Sequence, residues 1–256
     1  MTTPLPTQRP NSFVTVTDVN VQRGSVTALR DVSFALPAGS LTAVIGPNGA
    51  GKSSLFGLLS GRIPPTSGSV QLSGPVAEVL QATKVDDQLS LTVNDVVRLG
   101  RYPARGFMRP FRSNDRDAID QSLAAVDLLE LAGRQFNKLS GGQQQRALLA
   151  QGLAQHAPIL LLDEPTTGLD VTSQVLVRDI MRKQADAGTT VLFATHDLSE
   201  AAEADFVIVL ASECICCAPP IDALADPAVT ALFGPGPSAR TTNLLKPVKE
   251  LDPLPR

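Results

Sequence analysis

The segment Gly46-Pro47-Asn48-Gly49-Ala50-Gly51-Lys52-Ser53 constrains this chain more than any other feature. It follows the aliphatic run Leu41–Ile45 and precedes a helix-like run over Lys52–Ser60, so it reads as strand, glycine-rich turn and helix. Glycines let the backbone curl until successive N–H groups point at one spot, and the helix N-terminus behind them adds its positive end. Such a cradle suits a polyphosphate. Lys52 brings a point charge toward the β- and γ-phosphates of a nucleotide, the Ser53 hydroxyl is an oxygen ligand for Mg²⁺, and Ser54 extends the nucleotide-binding segment. A glycine-rich turn ahead of an ordinary core helix is the plain alternative; the terminal Gly-Lys-Ser in a strand–loop–helix setting argues against it.

Around this loop, short apolar runs alternate with helical patterns. Leu41–Ile45, Ile159–Leu162, Thr190–Ala194 and Phe206–Leu210 read as buried strands of a parallel sheet covered by helices. Segments near Val14–Val21, Val32–Leu36 and Ser69–Leu72 alternate apolar with polar residues, as in a small flanking antiparallel sheet. From about residue 90 to 156 the pattern turns helical, with Ile119, Leu123, Val126 and Leu129 on one face behind a cap expected at Ser113 or Asn114. The expected fold class is therefore α/β: a P-loop parallel-sheet core, an antiparallel β-subdomain and an inserted α-helical subdomain. One domain over 13–232 would lie between an N-terminal tail, 1–12, and a proline-rich C-terminal tail, 233–256.

Composition narrows the class. With 256 residues, 43% hydrophobic, 18% charged and a net charge of −3, the chain can build a full core, and no nucleic-acid partner is expected. No apolar run approaches the roughly 20 residues of a membrane-spanning helix, and the N-terminus lacks a secretory pattern, so a cytoplasmic location is expected. The three cysteines, Cys214, Cys216 and Cys217, crowd together too closely for an easy disulfide framework. On a regular strand Cys214 and Cys216 would share a face; without a nearby histidine, packing as small hydrophobes is favoured over a soft-metal site.

Ile159–Leu162 ends in Asp163-Glu164, at the carboxyl end of a predicted buried strand, where ligands bind in open α/β sheets. Asp163 is suited to holding Mg²⁺ through its hydration shell, and Glu164 to polarising a water for attack on a γ-phosphate. A pair of solvated strand-end acids is the alternative.

Leu139-Ser140-Gly141-Gly142-Gln143, ahead of a helical run, offers a second phosphate-recognition surface in a chain with one P-loop. With these residues the chain resembles the ATP-binding cassette family, whose signature is LSGGQ. The resemblance spans roughly Phe13 to Leu232 and implies ATP and Mg²⁺ as cofactors. It also implies a head-to-tail dimer in which Ser140, Gly141, Gly142 and Gln143 of one subunit close over ATP held by the other. Carried over residue by residue, Gln81 resembles the glutamine that reaches the Mg²⁺ and attacking water, Asp170 the interface aspartate, and His196 the histidine that contacts the γ-phosphate.

Three stretches depart from the family pattern, one of them Cys214-Ile215-Cys216-Cys217, which stands where relatives usually have a plain strand and turn. Arg23 stands where an adenine-stacking aromatic is common, and either its planar guanidinium stacks on the base instead or the adenine is held loosely. Gln151-Gly152 replaces a common Arg-Ala pair, which is expected to soften the signature helix. Val97-Arg98-Leu99-Gly100-Arg101-Tyr102-Pro103 is similar to the importer branch for manganese, zinc, iron and metal chelates. The implied function is an ATP-hydrolysing, energy-coupling transporter subunit. It would be peripheral on the inner face of the cell membrane, with transmembrane permease subunits and, indirectly, an extracytoplasmic substrate-binding protein. A soluble cassette ATPase on a non-membrane assembly, a transporter subunit for another cargo, and a nucleotide-binding scaffold with negligible turnover are the alternatives.

Overall fold

The computed structural model describes residues 12–79, 90–105 and 110–233. It opens with two long strands, β1 (Ser12–Arg23) and β2 (Val26–Pro37), then the short β3 (Leu41–Ile45) and helix α1 (Lys52–Leu59). β4 (Ser67–Leu72) and β5 (Val76–Val79) lead to four helices, α2 (Val93–Leu99), α3 (Tyr102–Arg105), α4 (Ser113–Ala125) and α5 (Gly141–Leu153). The chain then alternates β6 (Ile159–Asp163), α6 (Val171–Asp186), β7 (Thr190–Ala194), α7 (Leu198–Ala202) and β8 (Phe206–Leu210), before β9 (Cys214–Ala218), α8 (Pro220–Ala223) and α9 (Pro227–Phe233).

The antiparallel sheet has the order β2-β1-β4. Along β1 the buried valines change parity, Val14 and Val16 and then Val19 and Val21, which no regular strand could point to one side. A bulge between Val16 and Val19, with Asp18 at φ 48°, inserts the extra residue that keeps all four on the core face. The second sheet runs β5-β6-β7-β3-β8-β9, parallel from β5 to β8 with β9 antiparallel at the edge. β3 and β7 are buried at every position, which is why their sequences, LTAVI and TVLFA, run nearly continuously apolar rather than alternating.

Alternate residues of these strands feed two cores. Val44, Ile159 and Leu161 face the side occupied by α1 and the antiparallel sheet, where Phe56 is fully buried. Ala43, Ile45, Leu160 and Leu162 face α5, α6 and the helical subdomain. That subdomain is held by local chemistry: Thr92 and Asp95 cap α2 reciprocally, and Arg101 donates to Asp115 at 3.2 Å and to the Ala154 carbonyl at 2.6 Å, joining α4 to the end of α5. The cap expected at Ser113 or Asn114 lies one residue earlier. α4 begins at Ser113, and the Arg112 N–H donates to Asp115 Oδ2 at 2.9 Å.

The cysteines require a correction. A register shift between Val209 and Leu210 breaks the alternation of β9, so Cys214 and Cys216 do not share a face. Cys214 and Cys217 pack on the α1 side and Cys216 on the α6 side. Burial raises the Cys214 thiol pKa and pushes Cys216 up to about 11, so both stay as neutral thiols in the core.

Gly152 also has a reason the sequence did not disclose. A Cβ there would run into Val79 Cγ2 of β5 and lie 3.4 Å from Leu160 Cδ1, so the missing side chain is what lets the signature helix press against the sheet. Gly152→Ala is expected to cost about 1–2 kcal/mol in urea unfolding, since overpacking a stiff valine outweighs the gain in helix propensity. A variant at least as stable as the parent would show that the contact is slack.

Candidate functional site

Three neighbouring strands, β6, β7 and β3, end side by side. Asp163 pairs with Ala194, and Ala194 with Val44, so the carboxyl ends of all three reach one level of the sheet. From β3 the chain turns into the loop Gly46–Gly51 and then α1. At Gly51 φ is +101°, and a Cβ would approach the Ala28 carbonyl oxygen to 2.6 Å; only glycine can sit between the loop and β2 while starting the helix. The Lys52 side chain folds back over this loop, its Nζ donating to the carbonyls of Gly46 at 2.6 Å and Pro47 at 3.3 Å.

Beside the loop, the Ser53 hydroxyl donates to Asp163 Oδ2 at 3.3 Å. Desolvation at the strand end raises the Asp163 carboxyl pKa, the Ser53 bond opposes that, and the nearby Glu164 charge adds to it. A hydroxyl and a half-buried carboxyl converging in this way match the hard oxygen donors a Mg²⁺ ion takes, so the residues fit the ion. Glu164 leaves the strand at φ +49°, a left-handed conformation that turns its side chain off the ladder. Its Oε2 accepts the Thr167 hydroxyl at 3.2 Å, and its Oε1 lies 4.0 Å from His196 Nδ1. The loop, Lys52, Ser53, Ser54, Asp163 and Glu164 line a cavity of about 300 Å³, with His196 against Glu164. A cation, backbone donors, oxygen ligands and a second carboxyl around such a volume can bind a polyphosphate and activate a water.

Ser140–Gln143 does not line this cavity. Ser140 caps α5: the Gln143 N–H donates to Ser140 Oγ at 3.3 Å, and the Ser140 N–H donates to Gln143 Oε1 at 3.0 Å. Both Ser140 and Gly141 are exposed. A Cβ at Gly142 would come within 3.9 Å of Leu169, Asp170 and Ser173, so Asp170 belongs with the signature and not with the phosphate loop. Asp170 caps α6, accepting the Ser173 N–H at 2.9 Å and hydroxyl at 2.8 Å, which lowers its pKa. Gln81 lies outside the described residues. Arg23 is exposed at the end of β1 and is not among the residues lining the cavity.

Sequence reasoning missed the far wall of that cavity, formed by Val26, Thr27, Ala28 and Ser212. Val26 is 64% exposed. Nothing local marks these residues, because a hairpin and the β8–β9 turn bring them to the loop from distant parts of the chain.

The fold and the site together define a P-loop nucleotide-binding α/β domain. The ABC transporter family matches residues 29–167, and the chain belongs to that family. It is 36% identical over 222 residues to the manganese transport system ATP-binding protein MntB of Listeria monocytogenes serovar 1/2a, covering 83% of this chain and 92% of that protein. A metal-chelate type ABC transporter solved in an inward-facing conformation superposes with a TM-score of 0.80 at 30% identity, over 87% of this chain and 89% of that one. The ATP-binding cassette MJ0796, solved as a post-hydrolysis dimer with ADP and Pi, superposes with a TM-score of 0.71 at 25% identity, over 81% and 98% of the two chains.

The raised Asp163 pKa has a sign that can be measured. The folded state holds this proton to higher pH than the unfolded chain, so ionised Asp163 opposes folding above the folded pKa, and the penalty fades as pH falls through it. Asp163→Asn, in nucleotide-free protein, is expected to melt at a higher temperature than the parent at pH 7.5, with the gap closing toward pH 4. A gap that widens on acidification would contradict the desolvation assignment.

Proposed function

We propose that this chain is the ATP-hydrolysing, energy-coupling subunit of an importer of metal ions or metal chelates, of the manganese, iron or zinc class. The convergence of Ser53, Asp163, Glu164 and His196 at the mouth of the phosphate loop carries the reading. The loop N–H groups and Lys52 bind and orient the triphosphate. Ser53 Oγ and Asp163 would hold Mg²⁺, which when bound neutralises phosphate charge. Glu164 takes the role of general base, its carboxylate accepting a proton from the attacking water, and His196 contacts the γ-phosphate.

The separation of the two phosphate surfaces supports a shared site. Ser140–Gln143 is not among the residues lining the loop's cavity, and Val171, 75% exposed, and Val175, 43% exposed, sit on α6 next to the signature. Two copies arranged head to tail bring Ser140–Gln143 and Asp170 of each to the nucleotide of the other and cover those valines. Closure and release of this dimer would move transmembrane permease subunits, with Gln81 as the coupling glutamine and an extracytoplasmic binding protein delivering cargo. Among the described residues no helix is long and apolar enough to cross a membrane, so this reading assigns the chain to the inner face through its permease. The metal class rests on the likeness to MntB and to the metal-chelate transporter.

Light scattering of the Glu164→Gln protein tests the mechanism. Binding without turnover is expected to convert it to a dimer in Mg-ATP and leave it monomeric without nucleotide, with hydrolysis lowered about 100-fold or more. Turnover equal to the parent would remove Glu164 as the base. Lys52→Ala is expected to weaken Mg-ATP binding by calorimetry more than about tenfold; unchanged affinity would remove the loop as the phosphate site.

A further inference from the structure

His196 presents a problem of placement. Its side chain is 67% exposed and its nearest charged neighbour, Glu164 Oε1, is 4.0 Å away, so packing does not hold the ring. Where the imidazole points is decided by the backbone on either side of it.

That backbone is clamped by one hydroxyl. Thr195 is 3% exposed, and its N–H donates to the Val44 carbonyl of β3 at 3.1 Å. Its hydroxyl donates to Glu200 Oε2 at 2.7 Å, and the same oxygen accepts the Asp197 N–H at 3.1 Å. The residues before and after His196 are thus both tied to Thr195 Oγ1. Glu200, at the far end of the relay, is 7% exposed on α7. It faces a cavity of about 160 Å³ between α6 and α7, together with Arg178 and Arg182. Those guanidiniums lie 3.2 Å from Glu203 and 2.9 Å from Asp205, so the wall around Glu200 carries positive charge as well as its own acids. A buried carboxyl is costly unless something is gained by its hydrogen bond, and neither sheet ladder uses this one.

We propose that Thr195 and Glu200 are positioning residues for His196, the Glu200 carboxyl orienting the Thr195 hydroxyl so that it fixes the turn carrying the imidazole. This rests on the reading of His196 as the group that meets the γ-phosphate. It adds a specific chain of contacts, from α7 to the site, through which the rate of hydrolysis depends on residues that never touch nucleotide.

Steady-state hydrolysis by the full chain tests it through paired variants. Thr195→Val, which keeps the shape and removes the hydroxyl, is expected to lower kcat about tenfold while leaving KM for ATP within about threefold; Glu200→Ala is expected to do the same. Thr195→Ser and Glu200→Gln, which keep the hydrogen bond, are expected to stay within about threefold of the parent. In a His196→Ala background, Thr195→Val is expected to cause no further loss, because its effect passes through the ring. Equal losses in both backgrounds, a loss confined to KM, or full activity of Thr195→Val would overturn the proposal. If Glu200→Ala does not fold, or His196→Ala is too slow to measure, the Val–Ser pair at 195 and its kcat–KM split decide. A His196→Ala protein as active as the parent would instead remove the role of His196 and this inference with it, whereas an inactive His196→Ala beside a fully active Thr195→Val overturns this inference alone.

Discussion

The parallel register of β6, β7 and β3 is the constraint on which the rest of this molecule depends. Asp163, Ala194 and Val44 stand opposite one another across three strands, so the segments that follow them leave the sheet at one edge. Every chemically distinctive side chain of the site comes from those exits: the loop after β3, the acids at the end of β6 and the histidine after β7. The strands hold their level because they are buried on both faces, and a shift by one residue would send every side chain into the core on the opposite face, where it does not fit. A site assembled on such a ladder needs no long loops to bring its groups together.

Electrostatics at that edge follow from burial. Asp163 is drawn partly out of water by the apolar strand behind it, which penalises its ionised form, and a bound cation would offset that penalty by pairing with the carboxylate. One residue further, the left-handed turn at Glu164 keeps the second carboxyl off the ladder and beside Thr167 and His196. Two adjacent acids thereby acquire different surroundings, which is the general way in which like groups take different roles. The opposite surface is built from helix caps: Ser140 opens α5, Asp170 opens α6, and the two starts lie against each other at Gly142. Neither start is among the residues lining the loop's cavity, which leaves a single chain an incomplete site in the proposed mechanism.

Close approach accounts for positions that look like irregularities in the sequence. Gly152 reads as a weak point in the signature helix and is instead the point where α5 meets Val79. Asp18 breaks the alternation of β1 and, by doing so, keeps four valines in one core. The register shift in β9 divides the cysteines between two faces, and no spacing rule could have revealed it, since a bulge depends on how the neighbouring strand is aligned.

The linear chain by itself determined the phosphate loop, the acid pair at the end of Ile159–Leu162, the signature and the alternation of buried strands with helices. Each of these is local: the chemistry lies in residues within a few positions of one another, and a strand buried on both faces has to be written as an aliphatic run. Only the tertiary structure decided the far wall of the cavity at Val26–Ala28 and Ser212, the pairing of Asp170 with the signature, the exclusion of Arg23 from the cavity lining, and the Glu200–Thr195 clamp beside His196. These join residues brought together by hairpins, crossovers and helix packing. Distance in space then follows from strand order and register, which no single stretch of sequence contains.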